Sequence, residues 1–267
     1  MNGCAMKVHL IGVGGIGMSA LAKLLLAEGA EVSGSDEAEG PVLRRIRALG
    51  GKVRAGHAAA NLDHSDFVVY SSAISPRNPE LVAARNRGIP VLHRGQALAR
   101  LLARRRTIAV AGAHGKSTTS AMIGHLLVEA GQDPLLALGA EVDRLGGNAR
   151  AGSGPYAVVE ADESDGSFLW LEPEIGVITN VDEEHLDYFR SRWEIEEAYT
   201  AFAERVPAHG TLVGCVDDPF VSRLLRRSWR RRLGYGLSEQ AELRVVDVRL
   251  REGGSRYRCL RAGRHSR

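Results

Sequence analysis

The chain has 267 residues, 44% hydrophobic and 25% charged, proportions of a soluble globular protein with room for about two domains. No apolar run approaches the ~18 residues of a membrane span, and the opening MNGCAMK lacks a signal peptide's apolar stretch, so a cytoplasmic protein with no membrane partner is expected. The net charge of +3 is modest, no nucleic acid partner is expected, and the three scattered cysteines (Cys4, Cys215, Cys259) form no metal or redox spacing, as in a reducing compartment.

Residues 7–93 alternate strand-like and helix-like segments, the pattern of a parallel sheet covered by helices. The apolar run Val8–Ile11 leads into Gly12, Gly14 and Gly17, a G-x-G-x-x-G motif that also contains Gly15 and Ile16. Residues 16–27 then read as an apolar-faced helix, and Glu31–Ser35 as a second strand ending in Asp36. Bare glycines let the backbone approach a pyrophosphate, while a helix N-terminus aims N–H groups and positive dipole at it. An acid about twenty residues further on holds a ribose in dinucleotide folds. The motif supports a diphosphate ligand without saying which. An NAD-dependent oxidoreductase is one reading, and a tightly packed strand-to-helix turn is another. A helix is expected at 41–49, then a strand in "DFVVYSSAI" that runs into a polar loop at Ser71 and Ser72. "NPELVAARNRG" has Asn78 as N-cap, Pro79 at the first helical position and Gly88 past the end. "IPVLH" reads as a short strand and "RGQALARLLARRR" as a helix, ending at a boundary near residue 105 where the pattern restarts.

In the second half, strand Thr107–Ala111 enters a glycine loop that opens a helix at Lys116 or Ser117. Lys116 is one of only four lysines (with Lys7, Lys23 and Lys52) among 35 basic residues, and a hydroxyl follows it at once. This is the working end of a P-loop: backbone N–H groups cradle phosphates, the lysine meets them, and Ser117 can ligate Mg²⁺. The general consensus asks for glycine where Val110 stands, so the loop is a variant form. Two acidic motifs follow. "YAVVEADESD" is a buried-type strand ending in Glu160, followed by Asp162, Glu163 and Asp165; "IGVITNVDEEHLD" is another, ending at Thr179-Asn180 and followed by His185 and Asp187. Ligands of open α/β sheets sit at the carboxyl ends of strands, so Glu160, Asn180 and His185 should converge near the P-loop. Taken alone, an acidic loop is usually solvated and a lone histidine usually structural. The arginine-rich "RLLRRSWRRRL" (223–233) reads as a solvated helix-to-strand connection, since it carries no interleaved aromatic platform.

A dehydrogenase has no use for a second phosphate loop. The stretches "IGVGGIGMSALA", "AVAGAHGKSTTSAMI", "EADESDGSFL" and "TNVDEEHLDYF", with "SSAISPRNPEL" and "YGLSEQA", together resemble the Mur ligases of peptidoglycan synthesis. "GVGGIGMS" with "GSD" points to the branch that adds L-alanine. The resemblance implies an α/β fold: a Rossmann-like, UDP-sugar-binding domain over 1–105 and an incomplete P-loop ATPase-type central domain over 106–267. It implies that Gly12, Gly14, Gly15, Ile16 and Gly17 hold the pyrophosphate of UDP-N-acetylmuramate, with Asp36, Ser71 and Ser72 near the nucleotide. Gly112, His114, Gly115, Lys116, Ser117, Thr118 and Asn180 would surround ATP. Ser117 with Glu160 would hold one Mg²⁺, and Glu160 with His185 a second metal; Lys116, Glu160 and His185 are thus the expected catalytic set. The family activates the sugar's carboxylate as an acyl phosphate, which the amine of L-alanine attacks. Ala113 replaces a threonine frequent in the family's loop, a mild departure. Family members continue past the position of Arg267 with the rest of the ATPase domain and a third domain that receives the amino acid. A truncated form is therefore expected, unable to form the amide unaided, with a separate chain as one source of the missing part. A UDP-sugar-binding fragment without ligase activity is the alternative.

Overall fold

The computed structural model describes residues 5–182 and 189–261. In chain order the strands and helices are β1 (Lys7–Ile11), α1 (Ile16–Ala27), β2 (Glu31–Asp36), α2 (Pro41–Ala48), β3 (Lys52–Ala55), β4 (Phe67–Tyr70), α3 (Pro79–Asn86), β5 (Val91–His93) and α4 (Arg94–Leu102). There follow β6 (Arg106–Ala111), α5 (Lys116–Glu129), β7 (Leu135–Ala137), β8 (Ala149–Arg150), β9 (Tyr156–Glu160) and β10 (Ile175–Ile178). The last are α6 (Arg192–Arg205), β11 (Thr211–Cys215), α7 (Pro219–Arg227), β12 (Arg231–Gly236), β13 (Leu243–Arg251) and β14 (Gly254–Arg261). Among the described residues no helix is long and apolar enough to cross a membrane. The chain forms two compact units, Met1–Arg105 with Ser117–Glu160, and Arg106–Lys116 with Ala161–Arg267.

The first unit is built on a wholly parallel sheet in the order β3-β2-β1-β4-β5. The order reverses beside β1, the point where open α/β sheets place a ligand at the strands' carboxyl ends. Side chains alternate along β1. Val8 and Leu10 enter one apolar cluster with Met18, Leu21 and Leu25 of α1, while Ile11 enters the other with Leu81 and Ala84 of α3. Each such Val, Leu, Ile or Met side chain, fully withdrawn from water, contributes about 1.5–3 kcal/mol. α1 is buried more widely than an ordinary surface helix: Ser19 and Ala20 are enclosed along with Leu21 and Leu24. α3 starts where the sequence indicates, with Asn78 Oδ1 accepting from the N–H groups of Glu80 and Leu81 and Pro79 at the first position. In the same unit β7 pairs parallel with β9 and antiparallel with β8.

The strands of the second unit lie in the order β14-β13-β12-β11-β10-β6, parallel except for the terminal β13–β14 hairpin, which makes the sheet mixed. Phe168 stacks on Phe202 at 5.3 Å and meets Tyr199 edge-on, so α6 is fastened by aromatic packing. The arginine-rich run spans the end of α7 and the start of β12. Arg226 and Arg227 sit in the helix's last turn, where the dipole favours cations, and Arg232 donates to the carbonyls of Leu225 and Ser228.

Candidate functional site

The first glycine loop is fixed from below and from one side. Gly12 and Val13 N–H both donate to the Ser35 carbonyl at 2.8 and 3.0 Å, and Gly14 N–H donates to Asp36 Oδ2 at 2.7 Å. Gly12 has φ +81°, a left-handed conformation that favours glycine, and at Gly14 a side chain would start 2.8 Å from the Asp36 carboxylate. Gly15 is the N-cap of α1, and no side chain caps the helix. The helix N-terminus therefore presents its amides and positive dipole beside the glycines. Ile16, half-exposed, is the first helical residue. Ser71 Oγ lies 3.7 Å from where a Gly12 side chain would begin, and Ser72 follows it, exposed, on the loop after β4. Gly12, Gly14, Asp36 and Ser71 thus meet in one loop cluster. The structure adds Arg94, whose guanidinium sits 2.9 Å from where a Gly17 side chain would begin. It is the first residue of α4, a cation beside an anion-type loop, and one arginine among many in the sequence.

Beneath this loop is a buried polar cluster. Glu80 is fully enclosed, and its carboxylate accepts from Ser35 Oγ (2.5 Å), Asn61 Nδ2 (2.7 Å) and Ala58 N–H (3.0 Å), with His9 Nε2 at 3.1 Å. Burial pushes the Glu80 carboxyl up, but these partners outweigh it and hold the group down to about 2. Ser35 therefore joins the two levels, with its hydroxyl on Glu80 and its carbonyl on the glycine loop.

In the second unit, Gly112 and Gly115 carry φ values of +139° and +83°. A side chain on Gly112 would begin 2.0 Å from Thr179 Oγ1. Val110, the departure from the P-loop consensus, is a fully buried strand residue whose carbonyl accepts from Ala161 N–H; the turn begins only at Gly112. The loop is clamped by the two residues after β10. Thr179 Oγ1 donates to the His114 carbonyl at 2.6 Å, and Asn180 brackets the His114 peptide, accepting its N–H and donating to its carbonyl, both at 2.9 Å. Asn180 thus converges on the loop as expected, with its amide engaged by the loop's own backbone. The His114 imidazole is exposed, 3.6 Å from Asp182. Lys116 folds back over the loop, donating to the Gly112 carbonyl (2.6 Å), the Ala113 carbonyl (3.2 Å) and Glu163 Oε1 (2.7 Å). Glu163 is nearly fully buried; burial pushes its carboxyl up, against the pull of the Lys116 ammonium. A largely buried ammonium over a glycine loop can meet an anion by exchanging its loop carbonyls for it, and the attraction grows as water is excluded.

Ser117 is half-buried and Thr118 exposed at the start of α5, within the first unit. In that unit Glu160, at the end of β9, accepts from Gly139 N–H at 2.9 Å. A side chain on Gly139 would begin 2.2 Å from that carboxylate, so glycine there is required to hold Glu160 where it stands. His185 lies outside the described residues. One acid and one glycine thus matter that the sequence pattern does not single out for a site, Glu163 as the partner of Lys116 and Gly139 as the partner of Glu160.

Comparison with known proteins places this geometry. Residues 7–106 match a model described as Mur ligase family, catalytic domain, and residues 110–266 match one described as Mur ligase middle domain. The chain is 45% identical over 251 residues to a UDP-N-acetylmuramate–L-alanine ligase of Trichlorobacter lovleyi, covering 94% of this chain and 55% of that protein. A ligase of the same name from Aquifex aeolicus is 45% identical over 247 residues, 92% of this chain and 54% of the relative. The chain spans about half the length of the curated relatives it matches. Among solved structures, the UDP-N-acetylmuramate-alanine ligase of Thermotoga maritima superposes with a TM-score of 0.85 at 29% identity, over 97% of this chain and 58% of that one. A UDP-N-acetylmuramate:L-alanyl-gamma-D-glutamyl-meso-diaminopimelate ligase from Neisseria meningitides gives 0.84 at 27% identity, over 92% and 82%.

Proposed function

The chain belongs to the Mur ligase family, and on that premise we propose that it carries the substrate-activating part of an ATP-dependent ligase joining L-alanine to the carboxylate of UDP-N-acetylmuramate. The observation that carries the reading is the presence of two separately built glycine loops, Gly12–Gly17 and Gly112–Lys116, the second with a largely buried lysine folded over it. The names of the relatives at 45% identity supply the substrate class. The functional division falls near residue 105, a boundary supported by the two family models meeting between 106 and 110.

In this reading the first loop and α1's N-terminus bind the pyrophosphate of the sugar nucleotide. Asp36, turned onto Gly14, shapes the loop. Lys116 and the Gly112–Gly115 amides bind the β- and γ-phosphates of ATP. The Ser117 hydroxyl and Glu160 carboxylate are hard oxygen donors of the kind Mg²⁺ takes when nucleotide phosphates and water complete its shell, and they would hold it. Mg²⁺ supplies neutralisation of phosphate charge there. A sugar carboxylate oxygen attacks the γ-phosphorus, forming the acyl phosphate as the bond to ADP breaks. The amine of L-alanine then attacks the acyl carbon, phosphate leaves, and the nitrogen loses a proton. Lys116 follows the charge that develops on the transferring group, where a positioned cation acts most strongly. The test is ADP release from Mg·ATP: release that requires UDP-N-acetylmuramate, without need of L-alanine, supports the reading. Tight binding of both nucleotides without ADP release would refute the catalytic part and leave a binding module.

A further inference from the structure

Asn148 is fully buried and sits at a junction that neither phosphate loop explains. Its amide Nδ2 donates to the Ile16 carbonyl (2.8 Å) and to Ser19 Oγ (3.2 Å), on the first turn of α1, and its Oδ1 accepts from Lys23 Nζ. Lys23 is itself nearly enclosed and pairs with Glu141 at 3.3 Å. A buried amide with its polar atoms satisfied along one helix is a rigid connection, since moving it leaves several groups unpaired. On its other side the Asn148 carbonyl accepts from Leu138 N–H at 2.8 Å, and the next amide, Gly139 N–H, holds Glu160 at 2.9 Å. Both arms are stiffened by strand pairing, Ala137 with Ala149 of β8 and Ala137 with Val159 of β9.

We propose that Asn148 is a positioning residue that fixes the first turn of α1, and with it the sugar-nucleotide loop, against the Glu160 carboxylate. The path runs Ile16, Asn148, Leu138-Gly139, Glu160, every link a hydrogen bond or a peptide bond within the first unit. This inference rests on the functional reading above, because it gives the two ends their ligands. Its consequence is that occupancy of the first loop is felt at Glu160 and changes the affinity for Mg·nucleotide, reciprocally. For a transfer between two separately bound substrates, such registration matters: a misplacement of about 1 Å costs about a hundredfold in rate.

The test is calorimetric titration of the 267-residue chain with Mg²⁺ and a non-hydrolysable ATP analogue, with and without saturating UDP-N-acetylmuramate. The wild-type affinity should change by about fivefold or more when the sugar nucleotide is present. Asn148→Asp keeps the side-chain volume and the Lys23 contact but removes both amide donors. It should leave each separate affinity within about threefold and bring the coupling to within about twofold of none. A structural role alone would lower stability and leave the coupling intact. In the wild-type chain, hydrogen exchange at Leu138 and Gly139 should also slow by about threefold on adding UDP-N-acetylmuramate alone. Unchanged coupling in the folded variant, or unchanged exchange despite bound sugar nucleotide, overturns the inference. Failure of the wild type to bind UDP-N-acetylmuramate at all would instead refute the functional reading beneath it.

Discussion

Replacing Glu80 by glutamine should weaken the first unit and remove part of its acid sensitivity. The carboxylate is enclosed and held by Ser35, Asn61, the Ala58 amide and His9. Its pKa is lowered in the fold from an ordinary 4.5 to about 2. The stabilisation it contributes is therefore complete above the unfolded value near 4.5, and is lost as the pH falls through that value toward 2. At about 1.36 kcal/mol per pH unit the difference amounts to on the order of 3 kcal/mol. Glutamine keeps one oxygen for Ala58 and Asn61 but presents an amide to Ser35 and His9, so a loss of about 2–3 kcal/mol at pH 7 is expected. The assay must follow the correct unit. Trp170, Trp193 and Trp229, the chain's three tryptophans, all fall in the second unit, so fluorescence does not report on β1 and β2. Amide hydrogen exchange in peptides covering β1 and β2, measured in increasing urea at pH 7, 5 and 3.5, reads the first unit directly. The wild type should lose protection between pH 5 and 3.5, while Glu80→Gln starts lower and changes less. Parallel pH profiles for the two proteins would refute the assignment of that stability to Glu80.

The remaining predictions concern the two loops. Lys116→Ala should reduce ATP use by about a hundredfold or more, because it removes a charge-assisted contact to the transferring phosphate, while UDP-N-acetylmuramate affinity stays near wild type by calorimetry. Loss of sugar-nucleotide binding with ATP turnover intact would reverse the assignment of the loops. Gly139→Ala places a methyl 2.2 Å from Glu160 Oε2 and must turn that carboxylate away; Mg²⁺-dependent nucleotide affinity should fall by about tenfold with the fold retained, as measured by titration and circular dichroism. Asp36→Ala removes the acceptor of Gly14 N–H and should weaken UDP-N-acetylmuramate binding by about tenfold, the loss of one charge-assisted hydrogen bond that shapes the loop. Unchanged affinity would show that Gly14 holds its conformation without it.

Local signals made much of the architecture legible. Asn78, Pro79 and Gly88 bracket α3 because capping chemistry acts within a few residues, and Gly112–Lys116 stands out because strand, glycine turn and helix follow one another directly. The strand after Arg105 begins one residue earlier than its β-branched start suggested, at Arg106, and β10 ends at Ile178, leaving Thr179 and Asn180 to clamp the loop. What the sequence hid is decided by tertiary burial. Glu160, Asp162, Glu163 and Asp165 are four acids in six positions, and nothing in their spacing tells which one turns inward to meet Lys116. Gly139 reads as an ordinary turn glycine until Glu160 is seen against its amide. His9, in an otherwise apolar strand, is explained by Ser33 on the neighbouring strand and by Glu80, 71 residues away. The β13–β14 hairpin carries the Gly253-Gly254 pair as its turn signal, and the apolar alternation Val246, Val248, Leu250 runs along β13 although Val248 and Leu250 stay exposed.

The central claim is that the first glycine loop serves a uridine diphosphate sugar in a chain whose second loop serves ATP. Calorimetric titration of the purified chain with UDP-N-acetylmuramate and, separately, with NAD tests it most directly. Saturable one-to-one binding of UDP-N-acetylmuramate is expected, weakened by Asp36→Ala and indifferent to Lys116→Ala, with no heat from NAD beyond dilution. Tight NAD binding with no response to UDP-N-acetylmuramate would contradict it.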